Sequence, residues 1–295
     1  MDQAEQLRNI IKAGNVKHSR PLARVITVTS GKGGVGKSNT AINLAIQFRK
    51  MGKKVVILDA DFGLANIEIM FGAVPKHNLS DLIYQGKNIK DIITWGPMEV
   101  GFISGGSGIT GLSNLSKDYL MYIVHNLAEL DTIADVIIVD TGAGISDAVL
   151  EFLVASGEIL LVTTPEPTSI TDSYSLLKAL NGHPGLERDN TQICMIANRV
   201  SSANEGEVLF QKLDVVVSRY LKLPITYLGA VPQDPLLAKA VMQQLPVSLQ
   251  NSQARSAQAY EEIAAKLMKQ DEGQNTQKRG VAAFFSHIIG KRNNG

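Results

Sequence analysis

Gly31-Lys32-Gly33-Gly34-Val35-Gly36-Lys37-Ser38 stands between the β-branched run Val25–Thr29 and the helix-like stretch Asn39–Lys50. Few local patterns restrict a fold so tightly. Glycines let a backbone turn sharply and approach an anion with no Cβ in the way. Converging amide N–H groups and the N-terminus of the next helix then favour phosphate. Set in the order strand, Gly-rich loop, helix, the pattern G-x-x-x-x-G-K-[ST] is a phosphate cradle. Lys37 is placed to reach the β- and γ-phosphates, and the Ser38 hydroxyl to ligand Mg²⁺. Gly31, Gly33, Gly34, Val35, Gly36 and Asn39 are expected to complete the cradle. A nucleotide site follows.

The rest of the chain alternates strand and helix. Strands are expected at Val25–Thr29, Val55–Asp59, Glu99–Ser104, Val136–Asp140, Ile159–Thr163, Gln192–Ala197 and Thr226–Val231. Helices are expected at Asn39–Lys50, Ser116–Leu130, Asp147–Ala155, Ile170–Leu180, Glu207–Leu221 and Arg255–Lys269. Runs such as Val136-Ile137-Ile138-Val139 suit strands buried on both faces of a parallel sheet. The expected fold is α/β, a doubly wound, mostly parallel sheet flanked by helices, with its ligand at the carboxyl ends of the strands.

Several polar residues fall at those ends. Val55–Leu58 delivers Asp59 and Asp61 into a loop. Each could simply cap a helix. Beside a phosphate loop, two carboxylates at i and i+2 have a sharper use: Asp59 in the magnesium shell and Asp61 on the attacking water. Val136–Val139 likewise ends in Asp140, a second carboxylate suited to Mg²⁺. Asn198-Arg199 and Pro232-Gln233-Asp234 close the last two strands. An Asn amide matches the donor and acceptor of an adenine edge, so Asn198 is expected to read the base and the Pro232 segment to pack the ring. Lys32 is a second loop lysine. It is either solvated or reaches the phosphates of a second subunit, as an arginine finger does.

With 295 residues, 44% hydrophobic and 19% charged, the chain suits one large soluble domain. It has no membrane-length apolar run and no signal segment, and its one cysteine, Cys194, excludes a disulfide framework. A cytoplasmic protein is expected. Residues 1–25 carry a net +3 and 278–295 a net +4, which leaves −6 for the middle. That balance argues against a broad nucleic-acid surface and suggests partners held by the termini. The expected division is 1–23 (N-terminal motif and linker), 24–270 (nucleotide domain) and 271–295 (linker and C-terminal helix).

In that tail Val281, Phe284, Phe285, Ile288 and Ile289 share one helical stripe framed by Lys278, Arg279, Lys291 and Arg292. The pattern fits an interfacial helix on an anionic membrane surface. Half-burying five such side chains gives roughly 5 kcal/mol, while ordering a short tail takes back ~1 kcal/mol per residue. One tail should bind weakly and two on a dimer far better. The competing expectation is a helix docked on its own domain.

The form G-K-G-G-x-G-K-S, the D-x-D-x-G-x-x-N run at Asp59–Asn66 and the Asn198-Arg199 pair resemble the deviant Walker A, MinD/ParA-like ATPases. Asp2-Gln3-Ala4-Glu5-Gln6-Leu7-Arg8, Ile103–Gly108 and Thr164–Asp172 resemble the FlhG (FleN/YlxH) branch, regulators of flagellar number and placement. The resemblance implies an ATP- and Mg²⁺-dependent homodimer in which Lys32 acts in trans. Glu166 and Asp172 then lie at the dimer seam. Many relatives have Pro where this chain has Gly142. The resemblance further implies that the N-terminal motif (Asp2, Gln3, Leu7, Arg8) stimulates an SRP-type GTPase, FlhF. It also implies flagellar C-ring partners, while the tail pattern leads to the expectation of peripheral attachment to the inner face of the cell membrane. DNA partitioning, division-site selection and iron–sulfur transfer on the same fold are the other functions considered.

Overall fold

In the computed structural model, which describes residues 22–61, 66–105, 124–273 and 280–290, the strands are β1 (Arg24–Thr29), β2 (Val55–Ala60), β3 (Thr94–Trp95), β4 (Gly101–Ile103), β5 (Val136–Thr141), β6 (Glu158–Thr163), β7 (Gln192–Val200) and β8 (Thr226–Pro232). They form one sheet in the order β3-β4-β2-β5-β1-β6-β7-β8. Every pairing is parallel except β3 with β4.

Helices cover both faces: α1 (Lys37–Lys50), α2 (Asn66–Phe71), α3 (Leu79–Gln85), α4 (Ile89–Ile92), α5 (Leu130–Ile133), α6 (Asp147–Ala155), α7 (Pro167–Gly182), α8 (Ala203–Tyr220), α9 (Pro235–Met242), α10 (Val247–Gln250), α11 (Arg255–Gly273) and α12 (Gly280–Gly290). Strand alternation decides which face each side chain serves. On β5, Val136 and Ile138 join the core under α1 and α11, whereas Ile137 and Val139 join the core that contains Phe152 and Phe284. Both faces are therefore apolar, and the strand reads as an unbroken hydrophobic run.

Register sets the active end. β5 lies between β2 and β1, with Asp59 opposite Asp140 and Val28 opposite Asp140. The opposite end is pinned. The Arg24 guanidinium donates to Glu158 through Nε (2.8 Å) and Nη2 (2.7 Å), and through Nη1 to the carbonyl of Leu267 (2.9 Å). Arg24, part of the basic N-terminal balance in the sequence, is thus an internal clamp joining β1, β6 and α11.

The expected strand at Glu99–Ser104 is shorter than its pattern. Met98 and Glu99 take left-handed backbone (φ 53° and 57°), and Arg49 holds that turn through the Met98 carbonyl and the Glu99 carboxylate. Of the helix expected at Ser116–Leu130, 124–128 is helical, and 106–123 lies outside the described residues. So does the N-terminal motif with Asp2, Gln3, Leu7 and Arg8.

Of the two expectations for the tail, the structure shows the docked one. The linker expected from Asp271 starts later, because α11 runs to Gly273. α12 forms as expected, but its stripe faces the domain: Val281, Phe284, Phe285 and Ile288 are all buried. Phe284 lies 6.0 Å from the Phe152 ring and 5.1 Å, edge-on, from Phe285. An apolar stripe does not distinguish lipid from protein. A groove on the same chain is available without the entropy cost of association. Ile289 lies on α12 outside the described side chains.

Candidate functional site

β1 hands the chain to the loop 31–36, and Gly36, left-handed at φ 102°, starts α1 at Lys37. The helix begins two residues earlier than expected and brings Lys37 and Ser38 beside the strand-end carboxylates. Lys37 is buried; burial lowers its pKa, against the opposing pull of Asp140 and Asp61. Asp140 is fully buried, and burial pushes it up to about 6 while the Ser38 hydroxyl and Lys37 hold it down. Burial, then the Asp140 charge, pushes Asp59 up to about 8, although it accepts the amides of Asp61 (3.1 Å) and Ile67 (3.4 Å).

Neither Asp140 oxygen has a partner in good hydrogen-bonding geometry. The cluster is thus short of positive charge. Ser38, Asp59 and Asp140 offer the hard oxygen donors that Mg²⁺ takes. Among the described residues no three His, Cys, Asp or Glu side chains close a cage. A bound ion therefore needs further oxygens, which Mg²⁺ ordinarily draws from phosphates and water. Asp61 sits half-buried at the edge of the cluster, and 62–65 lie outside the described residues.

Lys32 points away from this cluster. Its ammonium meets Glu166 at 2.7 Å and Thr168 at 2.8 Å, in an exposed pair at the N-terminus of α7. The Lys32 hydrogen bond and charge hold the Glu166 carboxyl below its usual range. Lys32 and Glu166, both assigned to a seam between subunits, here pair within one chain. Asp172 touches the loop through its backbone: a Cβ at Gly31 would lie 2.2 Å from the Asp172 carbonyl carbon. Thr168, the second residue of α7, was not anticipated; only its place in the Pro-rich stretch Thr164–Asp172 hinted at it.

Two of the base-site candidates, Asn198 and Asp234, have partners within the chain. The Asn198 amide donates to the Val35 carbonyl (2.6 Å) and accepts the Arg199 amide (2.9 Å), with the residue buried. In this structure it braces the phosphate loop, because the end of β7 runs alongside that loop. Arg199 stands exposed in left-handed backbone, φ 57°. Asp234 caps α9 through the Leu236 amide (2.9 Å) and takes the amide (3.0 Å) and hydroxyl (2.8 Å) of Ser256. Partial burial alone would raise its pKa, but those bonds and Arg255 bring it below the ordinary value. Pro232 ends β8 opposite Val200. Asp234→Ala should therefore cost ~1–2 kcal/mol of stability, as lost caps do, visible as a lower urea midpoint. Nucleotide affinity changing with stability intact would return Asp234 to the base site.

Two further residues were missed. Asn43 accepts the Ser248 amide (3.0 Å), and Gln47 donates to Ser248 Oγ and the Ala257 carbonyl (3.2 Å each). This buried polar pair ties the phosphate-loop helix to α10 and α11. Its signal was Asn and Gln at i and i+4 in a helix otherwise rich in Ala, Ile and Leu.

Comparison with known proteins agrees with this geometry. The ParA family profile, described as NUBPL iron-transfer P-loop NTPase, matches residues 21–268. The chain is 38% identical to the antiactivator FleN of Pseudomonas aeruginosa over 83% of its own length and 86% of that protein. It is 32% identical to the flagellum site-determining protein YlxH of Helicobacter pylori, covering 98% of both. Among solved structures, septum site-determining protein MinD of Pyrococcus horikoshii, complexed with Mg-ADP, superposes with a TM-score of 0.66 at 23% identity, covering 85% of this chain and 98% of that one. Cradle, strand-end acids and sheet order have a common source: the chain belongs to the ParA/MinD family of P-loop NTPases.

Proposed function

We propose that this chain is an ATP-dependent dimerising switch that regulates flagellar number and placement. The observation that carries it is Lys32: a loop lysine turned out of its own phosphate site and held at the exposed N-terminus of α7. In this reading Lys37 and the loop amides hold the triphosphate, and Ser38, Asp59 and Asp140 hold Mg²⁺, which neutralises phosphate charge. Asp61 orients the attacking water. Lys32 exchanges Glu166 for the phosphates of a second subunit, with Asp172 at the same seam. The names of the FleN and YlxH relatives support the flagellar role.

The tail gives the switch its output. In a single subunit α12 is docked; in the ATP-bound pair two released tails, carrying Val281, Phe284, Phe285, Ile288 and Ile289, meet an anionic membrane surface together. Among the described residues no helix is long and apolar enough to cross a membrane. The motif at Asp2, Gln3, Leu7 and Arg8 addresses an FlhF-type GTPase, and C-ring proteins are further partners. Iron transfer fits less well, because Cys194, the one cysteine, is buried in β7 with its thiol pushed up to about 12.

The test is mass and sedimentation. With Mg²⁺ and a non-hydrolysable ATP analogue the protein should double in mass and pellet with anionic liposomes; with ADP, or ending at Gln277, it should not pellet. Lys32→Ala should lose ATP turnover by tenfold or more, and Asp61→Ala should persist as the ATP-bound pair. A protein that stays single with the analogue, alongside a fully active Lys32→Ala, refutes the proposal.

A further inference from the structure

Two ends of the chain meet on one carboxylate. Asp131, the second residue of α5, accepts the amide of Ala23 at 3.1 Å, just before β1. It also accepts the amide of Val281, the second residue of α12, at 3.1 and 3.2 Å through its two oxygens. Around it the backbones are closely set. Gly280 is left-handed at φ +64°, and a Cβ there would lie 3.1 Å from Asp131 Oδ2 and 3.2 Å from both Leu22 methyl carbons. Leu22 thus lies against the start of the C-terminal helix, and Ala23 shares its acceptor.

The first amides of a helix have no acceptor within the helix, and a carboxylate there satisfies one while meeting the positive end of the dipole. An 11-residue helix is too short to persist alone in water. α12 therefore owes its order to its apolar face and to this acceptor. We infer that Asp131 is a positioning residue that locks α12 into its groove and couples that docking to Leu22 and Ala23, so that displacing these two residues loosens the tail. A partner that grips the N-terminal segment would thereby act on the tail across a single side chain. The consequence for membrane binding rests on the role proposed above for the tail; the lock itself does not.

The experiment uses full-length protein without nucleotide and follows amide exchange by mass spectrometry. In Asp131→Asn, exchange should rise about tenfold over both 281–288 and 22–25, as the loss of a charge-assisted acceptor predicts. Peptides from β5 should stay protected, which separates unlocking from misfolding. A form ending at Gln277 should loosen 22–25 in the otherwise native sequence. Sedimentation of Asp131→Asn with phosphatidylglycerol vesicles should rise several-fold. Wild-type exchange over 281–288 in Asp131→Asn would overturn the lock; a looser tail with 22–25 unmoved would overturn the coupling. Faster exchange in both segments with no gain in vesicle binding would uphold lock and coupling and remove the membrane role.

Discussion

Gly31→Ala is expected to lower the melting temperature by roughly 6–10 °C and to remove nucleotide binding. A Cβ at residue 31 would stand 2.2 Å from the carbonyl carbon of Asp172, 2.3 Å from its oxygen and 2.5 Å from the amide nitrogen of Ser173. All three are backbone atoms, so no rotamer change relieves the overlap. α7 cannot retreat cheaply: Lys32 holds its first turn, and Ser173 is hydrogen-bonded to Thr163 of β6 at 2.8 Å. Overpacking against such a wall costs about 3 kcal/mol, and whichever side yields, the loop amides lose their aim on the phosphates. Gly33→Ala is the control. Its Cβ would meet only the Ala143 methyl, at an ordinary 3.9 Å, so thermal scanning should show little change. Equal losses in the two variants would mean that backbone freedom, not contact with α7, makes Gly31 necessary.

Asp140→Asn is expected to stabilise the nucleotide-free protein while abolishing its response to Mg²⁺ and nucleotide. At neutral pH the native side chain is an anion, buried, with neither oxygen in a good hydrogen bond and with Asp59 directly opposite. Its pKa of about 6, against an ordinary 3.8, puts the cost of holding that charge at about 3 kcal/mol. The amide keeps the shape and removes the charge. Wild-type protein with ligand at a hundred times its Kd should gain ~2.7 kcal/mol; the variant should gain almost nothing. Thermal scans in EDTA and then in Mg-ADP separate the two effects. A variant that is less stable in EDTA, or that still responds to Mg-ADP, would show that Asp140 supports the fold and not the ion.

The parts of this site that could be read from the sequence were those whose chemistry travels with their neighbours in the chain. Gly31–Ser38 carries its own turn geometry, and four apolar residues before Asp59 and before Asp140 put both acids at strand ends. Partners brought together by folding were not legible. Asn198 holds Val35 across 163 residues, and Asp234 takes Ser256 across 22; nothing local marks either contact. α2, α3 and α4 are too short to show a period, and two-residue β3 has no alternation to read. The stripe from Val281 to Ile288 was legible as apolar and helical, yet hydrophobicity has no vocabulary for naming what will cover it.

The clamp of Arg24 on the Leu267 carbonyl has a geometric consequence for the tail. With α11 fastened there, its C-terminal end lies on the side of the sheet where β1 begins, and not at the nucleotide mouth, where β1 ends. On the role proposed for the tail, a bilayer approached from that side would leave the triphosphate entrance open to exchange.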